Sequence, residues 1–189
     1  KYFLIQEFLI CRVAGRQAGL VLQKKSLNCR FVLVGDSDDS NPSSIGKEQL
    51  FLWQKEGCIE WWGHEEDMLN ALAKADIVCL PTYREGLPKS LLEAASSGIA
   101  IVATDVPGCR EIVEHGVNGF LVPAKNSDGL SLALEQLISD RELRQKMGRK
   151  SREKILASLS SDIVINKTVD LYSDCFPNKF QSEKNSLQK

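Results

Sequence analysis

Short apolar runs alternate along this chain with longer segments whose apolar residues recur every three or four positions, the pattern of strand, crossover helix and strand in a parallel sheet. Arg30-Phe31-Val32-Leu33-Val34-Gly35-Asp36 is continuously apolar up to its Gly-Asp stop, as a strand buried on both faces must be. Residues 37–44 contain Asp38, Asp39, Asn41 and Pro42 and predict a loop. Residues 47–56 predict a helix with Leu50, Phe51 and Trp53 turned to the core, stopped by Gly57. A second strand covers 58–62 and ends at Gly63; Asp67 then caps a helix carrying Met68, Leu69, Leu72 and Ala75. The third strand is 77–80. A helix over 88–97 begins on Pro88, Gly98 makes the tight turn after it, and 99–103 is the fourth strand.

Beyond this point the elements weaken. A short helix is predicted over 109–114, a short strand over 119–122, and a helix over 126–138 with Leu130, Leu134, Leu137 and Ile138 on one side. Two more helices follow at 142–156 and about 162–172, and from 178 the chain is polar, lysine-bearing and read as disordered. At the start, 6–16 suits a helix with Phe8, Leu9 and Val13 inward, weakened by Gly15 and Gly19. The sum is an α/β fold, a doubly wound parallel sheet of Rossmann type over residues 1–175, with extra C-terminal helices and a tail at 176–189.

Composition narrows the function classes. The 189 residues, 43% of them apolar, are enough for one substantial core. Lysines and arginines number 24 against 25 acidic residues, a net charge of -1 that recruits neither nucleic acid nor an anionic surface. The six cysteines are scattered, several within apolar runs, and read as reduced, buried thiols of a cytoplasmic protein. With two histidines, His64 and His115, and no CxxC pair, no metal site is predicted; Asp36 and Asp38 share only a loop. No cofactor is called for. The opening Lys1-Tyr2-Phe3-Leu4-Ile5 reads as neither a mature start nor a signal peptide, and no stretch approaches the ~18 apolar residues of a membrane span.

The informative segment is Leu80-Pro81-Thr82-Tyr83-Arg84-Glu85-Gly86-Leu87-Pro88-Lys89-Ser90-Leu91-Leu92-Glu93. It lies beyond a strand's carboxyl end and opens a helix, where open α/β sheets place ligands. Pro88 suits the first helical position and leaves the amides of Lys89 and Ser90 unpaired, so that they and those around Gly86 and Leu87 can cradle a phosphate. Glu85 and Glu93 flank this cradle, and a carboxylate accepts two hydroxyl protons at once, which suits a ribose or hexose diol. The two-glutamate spacing alone is weak evidence, and a plain α/β scaffold stays open on these residues. Lys89 reaches either phosphate or solvent.

Other residues carry bland readings beside sharp ones. Trp53, Trp61 and Trp62 are read as core packing rather than a carbohydrate-stacking surface. His64 follows a strand-ending glycine on the ligand side, whereas His115 reads as a capping or surface residue. The basic run Arg141, Arg144, Lys146, Arg149, Lys150, Arg152 and Lys154 reads as a solvated helix face, with peripheral contact to an anionic membrane as the alternative.

Arg84-Glu85-Gly86-Leu87-Pro88 with Glu93, then residues 98–113, from Gly98-Ile99-Ala100 to Glu111-Ile112-Val113, and Gly116-Val117-Asn118-Gly119-Phe120-Leu121-Val122-Pro123 together resemble the C-terminal, donor-binding domain of family 4 retaining glycosyltransferases of GT-B fold. The likeness extends over about residues 30–175, and within the family it is nearest to bacterial enzymes that build cell-surface polysaccharide on a polyprenyl-diphosphate carrier. The resemblance implies a UDP- or GDP-linked sugar donor. By it, Glu85 would contact the donor hexose and is the catalytic candidate, the backbone at Gly86, Leu87, Ser90 and Leu91 would hold the diphosphate, and Glu93 the ribose. Trp62 and His64 would lie beside the base, and Gly35 and Asp36 would line the cleft. It also implies a cytoplasmic site of action, at or near the inner face of the membrane.

The opening of the chain departs from that pattern. The family's arginine and lysine between the first strand and first helix have no clear match among Lys1, Arg12, Arg16, Lys24 and Lys25, so the first strand, and an N-terminal acceptor domain before it, read as missing. The expectation is a chain that binds donor without turning it over. Two rivals stand beside it: a silent nucleotide-binding or scaffold module, and a sugar-nucleotide epimerase of the same fold.

Overall fold

The computed structural model describes residues 2–6, 29–37, 45–57 and 59–176. Strands β1 (Tyr2–Gln6), β2 (Arg30–Val34), β3 (Glu60–Gly63), β4 (Ile77–Leu80), β5 (Ala100–Thr104) and β6 (Gly119–Val122) form one parallel sheet in the order β3-β2-β1-β4-β5-β6. That is the doubly wound order, whose direction of winding reverses between β1 and β4. The expectation of a missing first strand is thereby corrected: Tyr2–Gln6 fills the middle of the sheet, paired in register with Arg30–Val34 on one side and with Ile77–Cys79 on the other. Gln6 belongs to this strand and not to a helix. The rest of the helix expected over 6–16, the loop over 38–44, Cys58 and the tail after 176 lie outside the described residues.

Strands β4 and β5 are buried along their whole length, and β2 after its first residue. Parallel strands covered on both faces require this, and it is why their sequences read as unbroken apolar runs. The helices are α1 (Lys47–Lys55), α2 (Met68–Ala73), α3 (Lys89–Ser96), α4 (Pro107–Ile112), α5 (Ser127–Ser139), α6 (Arg141–Lys154) and α7 (Ser161–Cys175), with a π-helical turn at Ile155–Leu159. Asp67 caps α2 through the Asn70 amide at 3.1 Å, and Asn126 caps α5 through the Gly129 amide at 2.8 Å. Leu130, Leu134, Leu137 and Ile138 of α5 are buried, as their spacing predicts.

Some apolar positions go the other way. Phe51 and Leu69, assigned inward from the sequence, are 58% and 70% exposed, while Leu50, Trp53 and Leu72 supply the burial on α1 and α2. Arg144, assigned to a solvated basic face, is buried: its guanidinium donates to the Leu137 carbonyl at 2.6 Å, closing the end of α5, and meets Asp76 at 3.5 Å. Of the basic run, Lys150 pairs with Glu153, and Arg152 donates to the Ser96 carbonyl. Cys79 and Cys109 are buried as expected, but Cys175 is exposed. The chain divides into two compact units, Lys1–Glu153 and Lys154–Lys189, a division earlier than the boundary at 175 read from the sequence. The sheet belongs to the first; α7 in the second has no buried residue. No helix among the described residues is long and apolar enough to cross a membrane.

Candidate functional site

The carboxyl end of β4 leads through residues 81–88 into α3, directly beside the point where the sheet's winding reverses. Pro88 is the N-cap of α3, with an extended ψ of 116°, rather than its first helical residue as the sequence predicted. The first intrahelical bond runs from the Leu92 amide to the Pro88 carbonyl at 3.2 Å. The amides of Lys89, Ser90 and Leu91 therefore have no acceptor within the helix, and no side chain caps them. Beside them sits the Ser90 hydroxyl, whose Oγ is buried and has no hydrogen-bond partner among the described residues. An orphaned buried hydroxyl at the positive end of a helix is a feature that an anion would satisfy.

The loop ahead of α3 is fixed by contacts that the sequence did not disclose. Thr82 and Thr104, both buried, join the ends of β4 and β5: the Thr82 amide donates to Thr104 Oγ1 at 3.0 Å, and that hydroxyl donates back to the Thr82 carbonyl at 2.5 Å. The Arg84 amide lies 3.3 Å from Thr82 Oγ1, which tightens the next two residues. Gly108 of α4 packs so closely that a Cβ there would stand 2.1 Å from the Gly86 carbonyl oxygen and 2.6 Å from that of Glu85. Glu85 itself is half-buried, and its charge is felt at Cys109, whose thiol burial pushes up to about 12, with Glu85 and Asp105 adding to the shift.

Of the predicted binding residues on α3, Leu91 turns its side chain into the core and offers only its amide. Lys89 is almost wholly exposed, and its Nζ lies 3.4 Å from Glu93 Oε1 one turn on, with Glu93 28% exposed. This pair sets the Glu93 carboxylate back toward the start of α3, as side-chain direction in a helix dictates. Gly86 and Leu87 are exposed at the loop's outer side.

A second group of predicted residues gathers at the ends of β2 and β3. Gly35, with a φ of 134°, donates its amide to the Gly63 carbonyl at 2.7 Å, while its own carbonyl accepts the Trp61 indole N–H at 2.8 Å. Asp36 is held below the usual carboxylate range by the Ser37 amide, with Lys47 and the nearby His64 adding to it. Gly35, Asp36, Gly63 and His64 are thus neighbours. Trp62 does not join them through its side chain: its indole hydrogen-bonds Glu60, and Lys74 Nζ lies 5.4 Å from the ring centre. Since β1 stands between β2 and β4, the Asp36 group and the start of α3 are separated laterally on the order of 10 Å, two strand spacings.

The third side of this edge is formed by the ends of β5 and β6. Asp105 is held low by the Arg110 guanidinium 2.6 Å away, and Lys125 Nζ lies 5.6 Å over the Tyr83 ring. His115 is exposed and bonds the Leu121 backbone through Nδ1, so it braces β6. No group of three or more metal-ligating side chains occurs among the described residues.

Comparisons with known proteins bear on the family and the fold. Residues 11–140, more than half of the chain, match the family model described as glycosyl transferases group 1. A Campylobacter jejuni protein named N,N'-diacetylbacillosaminyl-diphospho-undecaprenol alpha-1,3-N-acetylgalactosaminyltransferase is 33% identical over 78% of this chain, which spans only 38% of that relative's length. The C-terminal domain of the group 1 glycosyl transferase LpcC from Francisella tularensis superposes with a TM-score of 0.72 at 25% identity, covering 85% of this chain and 87% of that one. Anabaena HepE, whose structure holds UDP and glucose, superposes with a TM-score of 0.76 at 19% identity over 90% of this chain and 48% of its own. These neighbours share a GT-B glycosyltransferase fold with this sheet and its helices. The chain belongs to the group 1 glycosyl transferases.

Proposed function

We propose that this chain is the donor-binding part of a retaining hexosyltransferase that takes a sugar from a nucleoside diphosphate carrier. The observation that carries the reading is the Ser90 hydroxyl, buried without a partner beside three amides that the helix leaves unused. In this assignment the diphosphate lies against the start of α3, the ribose hydroxyls bond to Glu93, and Glu85 engages the hexose. The Gly35, Asp36 and His64 group borders the cleft on the base side. UDP in the HepE structure favours a uridine nucleotide, with a guanosine nucleotide as the alternative.

The chemistry follows from where charge develops. When the bond from the anomeric carbon to the β-phosphate oxygen breaks, negative charge grows on the departing diphosphate. Fixed amides and the Ser90 hydroxyl already face that position, so little reorganisation is needed at the moment of reaction. The Thr82–Thr104 bonds and the Gly108 contact hold the loop in that geometry beforehand. The relative from C. jejuni is named for an acceptor on diphospho-undecaprenol, which favours a polyprenyl-linked or cell-surface glycan acceptor and a place at the cytoplasmic side of the membrane.

Calorimetric titration of the chain with UDP, GDP, ADP and their sugar adducts tests the reading. Saturable binding of one diphosphate, with amide shifts at Lys89, Ser90 and Leu91, is the expected result. Failure of all of them to bind, or binding that leaves these amides unmoved, would overturn it.

A further inference from the structure

A cavity of about 530 Å³ opens at the amino ends of β2 and β3, the opposite edge of the sheet from α3. Its lining includes Arg30, Glu60, Gln54, Trp61, Trp62 and Cys29. The volume lies within the range of small-molecule sites. Its location on the edge strand is shaped by a bulge: Leu33 pairs with Trp61 and Val34 with Gly63, so Trp62 is the extra residue. Trp61 packs edge-on against Phe51 of α1 with its indole N–H on the Gly35 carbonyl, whereas the Trp62 indole lies with Glu60 and Lys74, so the two rings keep to opposite faces of β3 and the cavity wraps this edge strand.

The polar wall is pre-organised. Arg30 grips both oxygens of Glu60 through Nε and Nη2, and the Trp62 indole donates to the same carboxylate. This fork fixes the plane of the carboxylate as well as its position. Gln54 Oε1 accepts the Trp61 amide at 3.0 Å, which orients the Gln54 side chain at the rim. Among the described lining residues Arg30 is matched by Glu60, Lys74 lies over the outer Trp62 ring, and burial keeps the Cys29 thiol in its neutral form. A phosphate would meet the Glu60 carboxylate and gain no net countercharge from the Arg30–Glu60 pair. A hydrocarbon chain would desolvate the Arg30–Glu60 pair without replacing its water.

We propose that this cavity binds a neutral carbohydrate unit. A sugar ring presents hydroxyls that both donate and accept, together with an apolar C–H face, and the cavity sets planar polar groups of fixed orientation beside aromatic surface. The site is distinct from the donor cleft and does not rest on the function proposed above. In a chain of this family it would hold a sugar residue of a glycan on the far side of the sheet from the nucleotide.

The test is an NMR titration of the ¹⁵N-labelled chain with N-acetylglucosamine, glucose and chitotriose, repeated with saturating UDP, and with inorganic phosphate and uridine as further probes. The expected result is a saturable shift of the Trp62 indole and Glu60 amide signals with at least one sugar, unaffected by UDP. Glu60→Gln should weaken it by at least about tenfold, the loss of one charge-assisted hydrogen bond. Gln54→Ala, on an exposed helix end, should also weaken it and serves if Glu60→Gln does not fold; Lys89→Ala should not. No shift with any sugar, shifts confined to the start of α3, or an equal response to phosphate or uridine would each overturn the proposal.

Discussion

Gly108 of α4 lies against the carbonyl of Gly86, so close that a methyl group on Gly108 would overlap that oxygen at 2.1 Å. The glycine is thus needed for the approach itself, and it sets the height of the Glu85–Gly86 backbone above the sheet. Gly108→Ala must push the loop, the short helix, or both. We expect a stability loss of about 1–3 kcal/mol from overpacking, and a UDP affinity lower by about tenfold as the loop leaves its position. Thermal melts and calorimetry on the same sample check both; an unchanged affinity in a folded variant would separate the loop from the site.

Ser90→Ala should split stability from binding. The hydroxyl is buried with no partner among the described residues, so its removal takes away an unmet desolvation cost. The free variant should therefore be as stable as the parent or more so by about 1 kcal/mol. Binding of the diphosphate should instead fall about tenfold, because a hydrogen bond to a charged group is lost. Denaturant midpoints and titrations moving in the same direction would show that the hydroxyl serves packing alone.

Glu93 is assigned to the pentose and not to the phosphates, and that division can be measured. Glu93→Gln keeps shape and removes charge. Its pairing with the highly exposed Lys89 is an exposed helical pair worth about 0.5 kcal/mol or less, so folding should be nearly unaffected. UDP binding should weaken by about tenfold while inorganic pyrophosphate binds as before. Equal losses for both would move Glu93 from the ribose to the anion.

These residues show what the sequence discloses and where it stops. Of the five strands from Arg30 onward, β2, β4 and β5 were most legible because parallel strands buried on both faces must be apolar throughout, and Pro88 marked the helix start to within one position. The central strand Tyr2–Gln6 was not, since five residues ending in a polar glutamine carry no periodicity and are recognised only through their neighbours in the sheet. Phe51 and Leu69 were misplaced because a helix of nine or six residues has room for few inward positions, and tertiary packing chose among the candidates. Arg144 sits in a run of like residues and differs from them only by where the end of α5 falls. The groups proposed to face the ligand were named from residue type, spacing and the family resemblance. What fixes them, Thr82 with Thr104 and Gly86 with Gly108, depends on contacts between strands and helices that spacing does not encode.

Cys109 provides a reporter of the same corner of the fold. It is fully buried, burial pushes its thiol from 9.0 to about 12, and the charges of Glu85 and Asp105 push the same way. A raised pKa in the folded state means that the unfolded chain releases this proton first. The contribution to stability is complete below pH 9 and is lost as the pH rises toward 12. The parent chain should accordingly lose stability across that alkaline window, and Cys109→Ala should lose less of it, as measured by denaturant midpoints at stepped pH. Near neutral pH the same shift leaves almost no thiolate, so a thiol reagent followed by peptide mapping should modify the exposed Cys175 quickly and Cys109 only after unfolding. Fast modification of Cys109 in the folded chain would mean that α4 opens readily, and the Glu85–Gly86 loop packed on it would then be a mobile rim instead of a fixed one.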